Sequence, residues 1–229
     1  MAGNDPEQAP FFDLPPEQDR IVRDFFELYH VDGNRTLLNT YWLGVSVVKP
    51  PLDMWIYQEI LFSERPEVIV ETGTAFGGSA FFLATICDLI GAGRIVTVDI
   101  EERDDRPVHP RITYLTGDSA APDLVARVER EISEGESVMV ILDSKHHRDH
   151  VLAEMRAYGP LVTPGQYLVA EDTTINLNVP KPKGRPYPRP GPRDAVDEFL
   201  AEQNRFELDR SREKFLMSVA AGGFLRCVA

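Results

Sequence analysis

The sequence predicts an α/β fold: a mostly parallel, seven-stranded sheet with helices on both faces, preceded by a helical cap. Three observations carry this. Short, continuous apolar runs (VIVET, RIVTVDI, VMVILD, QYLVAED) recur from residue 68 onward and alternate with helix-length segments, the pattern of a parallel sheet buried on both faces. A glycine-rich turn, ETGTAFGGSA, follows the first run and opens a helix. Acidic residues stand at the ends of the runs, where open α/β sheets place their ligands.

The elements follow in order. Residues 1–16 hold four prolines and read as a loose arm. From Glu17 to Leu28, the residues Ile21, Val22, Phe25, Phe26 and Leu28 fall on one helical face. TYWLGVSVVKPP is an extended aromatic loop, and Leu52–Ser63 a second helix. Residues 1–64 thus form an arm and cap, and 65–229 the main domain. There, strands are expected at 68–72, 94–100, 111–118, 138–143 and 166–172. Helices are expected over SAFFLATICDLIGAG, residues 122–134, HVLAEMRAYGPLV and DAVDEFLAEQ. RFELDR, KFLMSVA and GFLRCVA are expected to close the sheet as antiparallel strands. Between 180 and 192 lie six prolines, which exclude a central strand or helix, so 176–193 is expected to be a lid.

A chain of 229 residues with 43% hydrophobic content can bury a full core. No run of eighteen apolar residues occurs, so no membrane partner is expected. The acidic N-terminus lacks the basic and apolar regions of a secretory signal. Cys87 and Cys227 each sit in apolar context and read as small buried hydrophobes. A reducing, cytoplasmic location is expected. The net charge of −13 argues against a nucleic-acid partner.

The first turn spaces its glycines as Gly73-x-x-x-Gly77-Gly78, which is neither the dinucleotide fingerprint nor a phosphate loop. Asp99 ends the second strand, 26 residues after Gly73, where it can hold ribose hydroxyls. Asp118 and Ser119 end the third, placed to touch an adenine edge. Glu71 can hold the loop or a ligand's amino group. With Gly73, Ala75 and Ser79 of the turn, these residues fit an adenosyl ligand without a diphosphate, and S-adenosylmethionine best. A tight turn with no ligand is the alternative.

Asp143 ends the fourth strand, and Glu171 and Asp172 end the fifth. If those strands are neighbours, three carboxylates meet at one sheet edge, where mutual repulsion would raise their pKa values. A hard divalent cation relieves this, and oxygen ligands select Mg²⁺, Mn²⁺ or Ca²⁺ over zinc. Loop caps or partners of Arg and Lys are the bland alternative. The stretch LDSKHHRDH also holds three of the five histidines. It lacks the Glu of H-E-x-x-H, and His147-x-Asp149 is too little for an iron triad. His147, Arg148 and Asp149 read as a polar helix start. His146, three residues past Asp143, can reach a metal-bound hydroxyl and act as base. His150 supports it or enters the substrate pocket.

The segments TYWLGVSVVKPPLDMWIYQEI, VIVETGTAFGGSAFF, RITYLTGDS, VILDSKHHRDHVLAEMRAYGPLV, YLVAEDT and AVDEFL together resemble the cephalosporin hydroxylase-like family, which includes cephalosporin 7-hydroxyl methylation proteins and rhamnosyl O-methyltransferases. The resemblance covers roughly residues 40–229. It implies a Rossmann-like class I methyltransferase fold, S-adenosylmethionine and Mg²⁺ as cofactors, and a metal site on Asp143, Glu171 and Asp172. It also implies a homo-oligomer, with the N-terminal segment as the expected contact. Catechol-type methyltransferases place a lysine base three residues after the first aspartate, where this chain has His146. Lys145 stands where many relatives are expected to carry Asp or Asn.

The expected activity is Mg²⁺-dependent O-methylation of a small-molecule hydroxyl, on a sugar or other alcohol of an antibiotic or similar natural product. Asp143 and His146 are the catalytic pair, and Asp143 also borders the cofactor. His150, Tyr187 and Arg185 shape the acceptor pocket. The alternatives are a non-catalytic adenosyl-binding partner subunit and an iron-dependent hydroxylase.

Overall fold

The computed structural model describes residues 14–31, 36–176 and 190–229. Its elements are α1 (Pro16–Val31), β1 (Tyr41–Trp42), β2 (Val45–Ser46), α2 (Pro51–Glu64), β3 (Val68–Thr72), α3 (Gly78–Ile90), β4 (Arg94–Asp99) and β5 (Ile112–Thr116). They continue with α4 (Pro122–Arg130), β6 (Val138–Leu142), α5 (Arg148–Tyr158), β7 (Tyr167–Ala170), α6 (Pro192–Glu202), β8 (Phe206–Leu208) and β9 (Phe224–Cys227). Local chemistry sets several boundaries. Proline occupies the first turn of α2, α4 and α6, where no backbone N–H is needed. Gly91 stops α3 in the left-handed region at φ 79°.

Seven strands form one sheet in the order β5-β4-β3-β6-β7-β9-β8. The first five are mutually parallel, and β9 runs antiparallel to both its neighbours. The fold is therefore the mostly parallel, Rossmann-like sheet expected from the sequence. Chain direction reverses its order between β3 and β6, which pair from Val68↔Val138 to Thr72↔Leu142. The carboxyl ends of these two strands mark the switch point, where doubly wound sheets bind ligands.

Alternation along each strand divides the core. Val68 and Val70 of β3, with Val96, Val98, Val138 and Val140, pack toward α4, α5 and α6. Ile69 and Ile95, with Met139, Ile141 and Val169, pack toward α2 and α3. A third cluster ties Val22 and Phe26 of α1 to Met217, Val219 and Ala221. Cys87 and Cys227 are free and buried. No helix among the described residues is long and apolar enough to cross a membrane.

Two segments differ from expectation. KFLMSVA is not a strand: a short 3-10 turn at Arg210–Glu213 leads into irregular backbone with Leu216 at φ 62°, and Met217, Val219 and Ala220 are buried without ladder pairing. TYWLGVSVVKPP is not simply extended: its first half is the β1–β2 hairpin, turning at Leu43-Gly44 with φ 47° and 87°. Residues 177–189, most of the expected lid, lie outside the described residues.

Candidate active site

The carboxyl ends of β3, β4, β5 and β6 surround a cavity of about 540 Å³, lined by Gly73, Asp99, Asp118, Ser119, Ser144 and His146 among others. Gly73 permits it. Its φ is +88°, and a Cβ there would fall 1.9 Å from the carbonyl oxygen of Asp143. The turn thus lies directly on the end of β6. Beyond it, Ala75 takes φ 46°, and its N–H donates to Asp99 Oδ2 at 2.7 Å. Asp99 Oδ1 accepts the Glu101 N–H at 2.8 Å. Arg106, buried under the same loop, donates to the Ala75 carbonyl at 3.0 Å and stands 3.3 Å from Asp99 Oδ2.

Glu71 of β3 and Ser79 of α3 are both buried and are not among the residues that line this cavity. Glu71 Oε2 accepts the Thr97 hydroxyl at 2.7 Å, and Oε1 has no partner among the described residues. Burial pushes the Glu71 carboxyl up to about 7, against the neighbouring Ser79 and Thr97 hydroxyls, which favour its charge. Asp118 Oδ1 accepts the Ala120 N–H at 3.0 Å, which fixes the loop after β5.

The acids gather around His146, which also lines the cavity. β6 and β7 are parallel neighbours, so Asp143 and Asp172 leave adjacent strand ends. One ligand atom each from Asp143, His146 and Asp172 all lie within 4.8 Å of one another. His146 Nε2 stands 3.3 Å from Asp172 Oδ2, and Asp172 holds a left-handed φ of 56°. Burial raises both aspartate pKa values above the usual carboxylate range. Asp172 adds to this at Asp143, where Lys49 and His146 oppose it. At Asp172, His146 opposes it and Glu171 adds to it.

Glu171 is placed differently. It is 2% exposed, and its Oε1 accepts from Lys49 Nζ at 2.8 Å and from the Tyr57 hydroxyl. Lys49 Nζ also donates to Asp143 Oδ2 at 2.6 Å. Glu171 Oε2 is buried without a hydrogen-bond partner among the described residues. Burial alone would lower the Lys49 pKa, but Asp143 and Glu171 outweigh it and hold the ammonium well above its usual value. Asp53 of α2 lies in the same interior and accepts the Val219 N–H at 2.9 Å. Burial and the nearby Glu171 raise its carboxyl to about 8. Sequence reasoning missed Lys49, Tyr57 and Asp53. The available signal was a lone cation, a phenol and an acid within VVKPPLDMWIY, an otherwise apolar stretch.

His147 is the exposed residue preceding α5, and Arg148 and Asp149 open the helix, pairing with each other at 2.7 Å. Lys145 is exposed at the cavity wall. His150 also lines the cavity, with Nε2 at 3.1 Å from Ser144 Oγ and 3.2 Å from Ser119 Oγ. It therefore stands at the Asp118–Ser119 side, apart from the acid cluster. Tyr187 and Arg185 lie outside the described residues.

A glycine-walled cavity that shares His146 with a pair of acids is suited to holding a small ligand beside a cation. The profile of the family described as rhamnosyl O-methyltransferase/CmcI matches residues 34–228. A rhamnosyl O-methyltransferase of Mycobacterium leprae (strain TN) is 37% identical over 213 residues, 90% of each chain. One from Mycobacterium tuberculosis (strain ATCC 25618 / H37Rv) is 34% identical over 214 residues, 90% of this chain and 85% of the relative. Among solved structures, apo CmcI-N160 superposes with a TM-score of 0.68 at 22% identity, over 100% of this chain and 88% of that one. CmcI-D160 with Mg and SAM gives 0.66 at 21%, over 100% and 89%. By profile, by sequence identity along nearly its whole length and by fold, this chain belongs to the rhamnosyl O-methyltransferase/CmcI family of O-methyltransferases.

Proposed function

We propose that this O-methyltransferase methylates a hydroxyl of a sugar, or another alcohol, on a small natural product of secondary metabolism. The carrying observation is the meeting of Asp143, Asp172 and His146, the last of which also lines the cavity walled by Gly73. The methyl donor is S-adenosylmethionine, whose sulfonium supplies an electrophilic methyl group. Asp99 would hold its ribose, and Asp118 and Ser119 its adenine.

The donor set fits a hard divalent cation. Asp143 and Asp172 offer oxygens at one point, and the unpartnered Glu171 Oε2 is a buried acceptor that a cation would satisfy. Mg²⁺ bound there would supply polarisation of an acceptor oxygen and a lowered hydroxyl pKa. Lys49 holds the Asp143 and Glu171 carboxylates in place through Nζ. His146 takes the acceptor's hydroxyl proton on its imidazole, and Asp172 Oδ2, 3.3 Å from Nε2, steadies the ring and the positive charge that forms. The freed oxygen pair forms the new bond to the methyl carbon as the carbon–sulfur bond breaks, its electrons staying on sulfur and S-adenosylhomocysteine leaving as the neutral thioether. Most of the acceleration comes from orientation of the two reactants.

The partners in this account are the small hydroxylated acceptor and a second copy of the chain, with no nucleic acid and no membrane. Ile21, Phe25 and Leu28 form an exposed apolar stripe on α1 suited to self-association. The relatives' rhamnosyl chemistry names the first acceptors to try, rhamnose-bearing glycosides. With labelled S-adenosylmethionine, transfer to such an acceptor is expected to need Mg²⁺, to stop in EDTA and to be lost in Asp143→Asn. Undiminished transfer in EDTA would rule out the metal's part.

A further inference from the structure

Glu154 is fully buried on the inner face of α5, one turn after His150. Its Oε1 accepts the Ser144 hydroxyl at 2.7 Å and lies 3.6 Å from His150 Nε2. Its Oε2 has no hydrogen-bond partner among the described residues. A buried carboxylate left half satisfied is costly, and packing alone gives no reason for one here. The group lies under the adenosine side of the cavity. Ser119, Ser144 and His150 all line that cavity beside Asp118, and Tyr158 Oη donates to the Ser119 carbonyl at 2.7 Å, fixing its backbone.

Counting protons fixes the direction of every bond. A carboxylate accepts, so Ser144 gives its single hydroxyl proton to Glu154. Ser144 Oγ, 3.1 Å from His150 Nε2, can then only accept, which places a proton on Nε2. The same N–H stands 3.2 Å from Ser119 Oγ, which accepts as well. The hydroxyl proton of Ser119 is left to point elsewhere, and the cavity is what it lines.

We propose that Glu154 is a cofactor-positioning residue: acting through Ser144 and His150, it holds the Ser119 hydroxyl as a hydrogen-bond donor to a ring nitrogen of the bound adenine. Adenine ring nitrogens accept and never donate, so a serine whose proton was turned toward His150 would offer them nothing. His150 serves the cofactor end of the site rather than the acceptor end. This rests on the reading of the cavity as an adenosyl site.

The test is a double-mutant cycle on the full-length chain, with S-adenosylhomocysteine affinity measured by calorimetry. Ser119→Ala is expected to weaken binding about 3- to 10-fold, the range of one neutral hydrogen bond. In Glu154→Gln the new amide can donate to Ser144 and reverse the chain. Binding there should already be weakened, and Ser119→Ala should add little. His150→Gln, whose amide replaces the Nε2–H donor, should keep the Ser119 effect, and His150→Ala should lose it. The proposal is overturned if Ser119→Ala costs the same factor in Glu154→Gln as in the wild type, or if the two His150 variants behave alike. Should Glu154→Gln not fold, the His150 pair decides. No binding of S-adenosylhomocysteine to the wild type at all would overturn the adenosyl assignment itself.

Discussion

At the scale of single residues, Lys49 governs the acids. It is 3% exposed and faces Asp143 and Glu171, which lie 94 and 122 positions away. Removing one partner of a buried ion pair leaves the other charge uncompensated. Lys49→Met is expected to lower the unfolding free energy of the metal-free protein by about 3–5 kcal/mol in urea titrations. Saturating Mg²⁺ should restore part of that loss, because it supplies positive charge at the same carboxylates. An unchanged denaturation midpoint would remove Lys49 from this role. His146→Ala should lower kcat by about 10²- to 10⁴-fold, the usual span for a general base, while S-adenosylhomocysteine affinity stays near wild type. A near-normal kcat would exclude His146 as base. The approach of Asp143 to Asp172 was legible in the sequence because acids at the ends of neighbouring apolar runs have a geometric meaning, whereas Glu171 turns to Lys49 and Tyr57. Lys49 was not legible, because one cation in VVKPP carries no spacing that points to partners so distant. Glu154 left a fainter mark: between Val151, Met155 and Tyr158 it falls on the buried face of its helix, where a charge is out of place.

At the scale of elements, the β3–α3 turn fixes the distance between the cavity and the acid cluster. Gly73 combines a φ of +88° with direct contact against the end of β6. Gly73→Ala would force both a strained backbone and a separation of β3 from β6. It should cost at least about 1–3 kcal/mol of stability and lower S-adenosylhomocysteine affinity together. Loss of neither, measured by denaturation and calorimetry, would contradict the close approach. The parallel strands were readable because burial on both faces turns them into continuous apolar runs. KFLMSVA misled for the same reason: its apolar residues are buried, but by packing Met217 and Val219 against α1 rather than by pairing in the sheet. The aromatic hairpin was hidden because strands of two residues leave no period to detect.

At the scale of the whole molecule, the buried acids make stability depend on pH. Glu71, held near 7, and Asp53, held near 8, keep their protons in the folded state above the pH at which the unfolded chain ionises them. Asp143 and Asp172 are raised in the same direction by burial. His150 is raised by the neighbouring Glu154 carboxylate, so it too stays protonated longer when folded. Between pH 5 and 8 the native state therefore binds more protons than the unfolded state, and stability should fall as pH rises. The stability these groups lend is complete below their unfolded values and lost through their folded ones. Surface carboxylates that are lowered by partners, such as Glu136 near 2 beside Arg94, are ionised in both states across that window and do not oppose the trend. Urea titrations of the metal-free protein should show a decline from pH 5 to 8 that Asp53→Asn flattens, and a flat or rising profile would contradict it. The parallel sheet, its cover of helices on both faces and the placement of the site at the carboxyl ends of its strands were legible from the alternation of runs and helices; the strand order was not, because runs of equal apolarity do not say which neighbours they take. Arg185 and Tyr187 lie outside the described residues, and the proline-rich stretch that holds them carries no periodicity from which to place them.

The central claim is that the glycine-walled cavity and the acid cluster form one site for a methyl donor and a divalent cation. It is tested most directly by thermal unfolding of the wild-type chain with S-adenosylhomocysteine, with Mg²⁺ and with both. A ligand at 100 times its dissociation constant adds about 2.7 kcal/mol to the folded state. Each ligand alone should therefore raise Tm, the pair together should raise it further, and Asp143→Asn should lose the Mg²⁺ increment while keeping most of the other. No shift with either ligand, or a full Mg²⁺ shift in Asp143→Asn, would contradict the account.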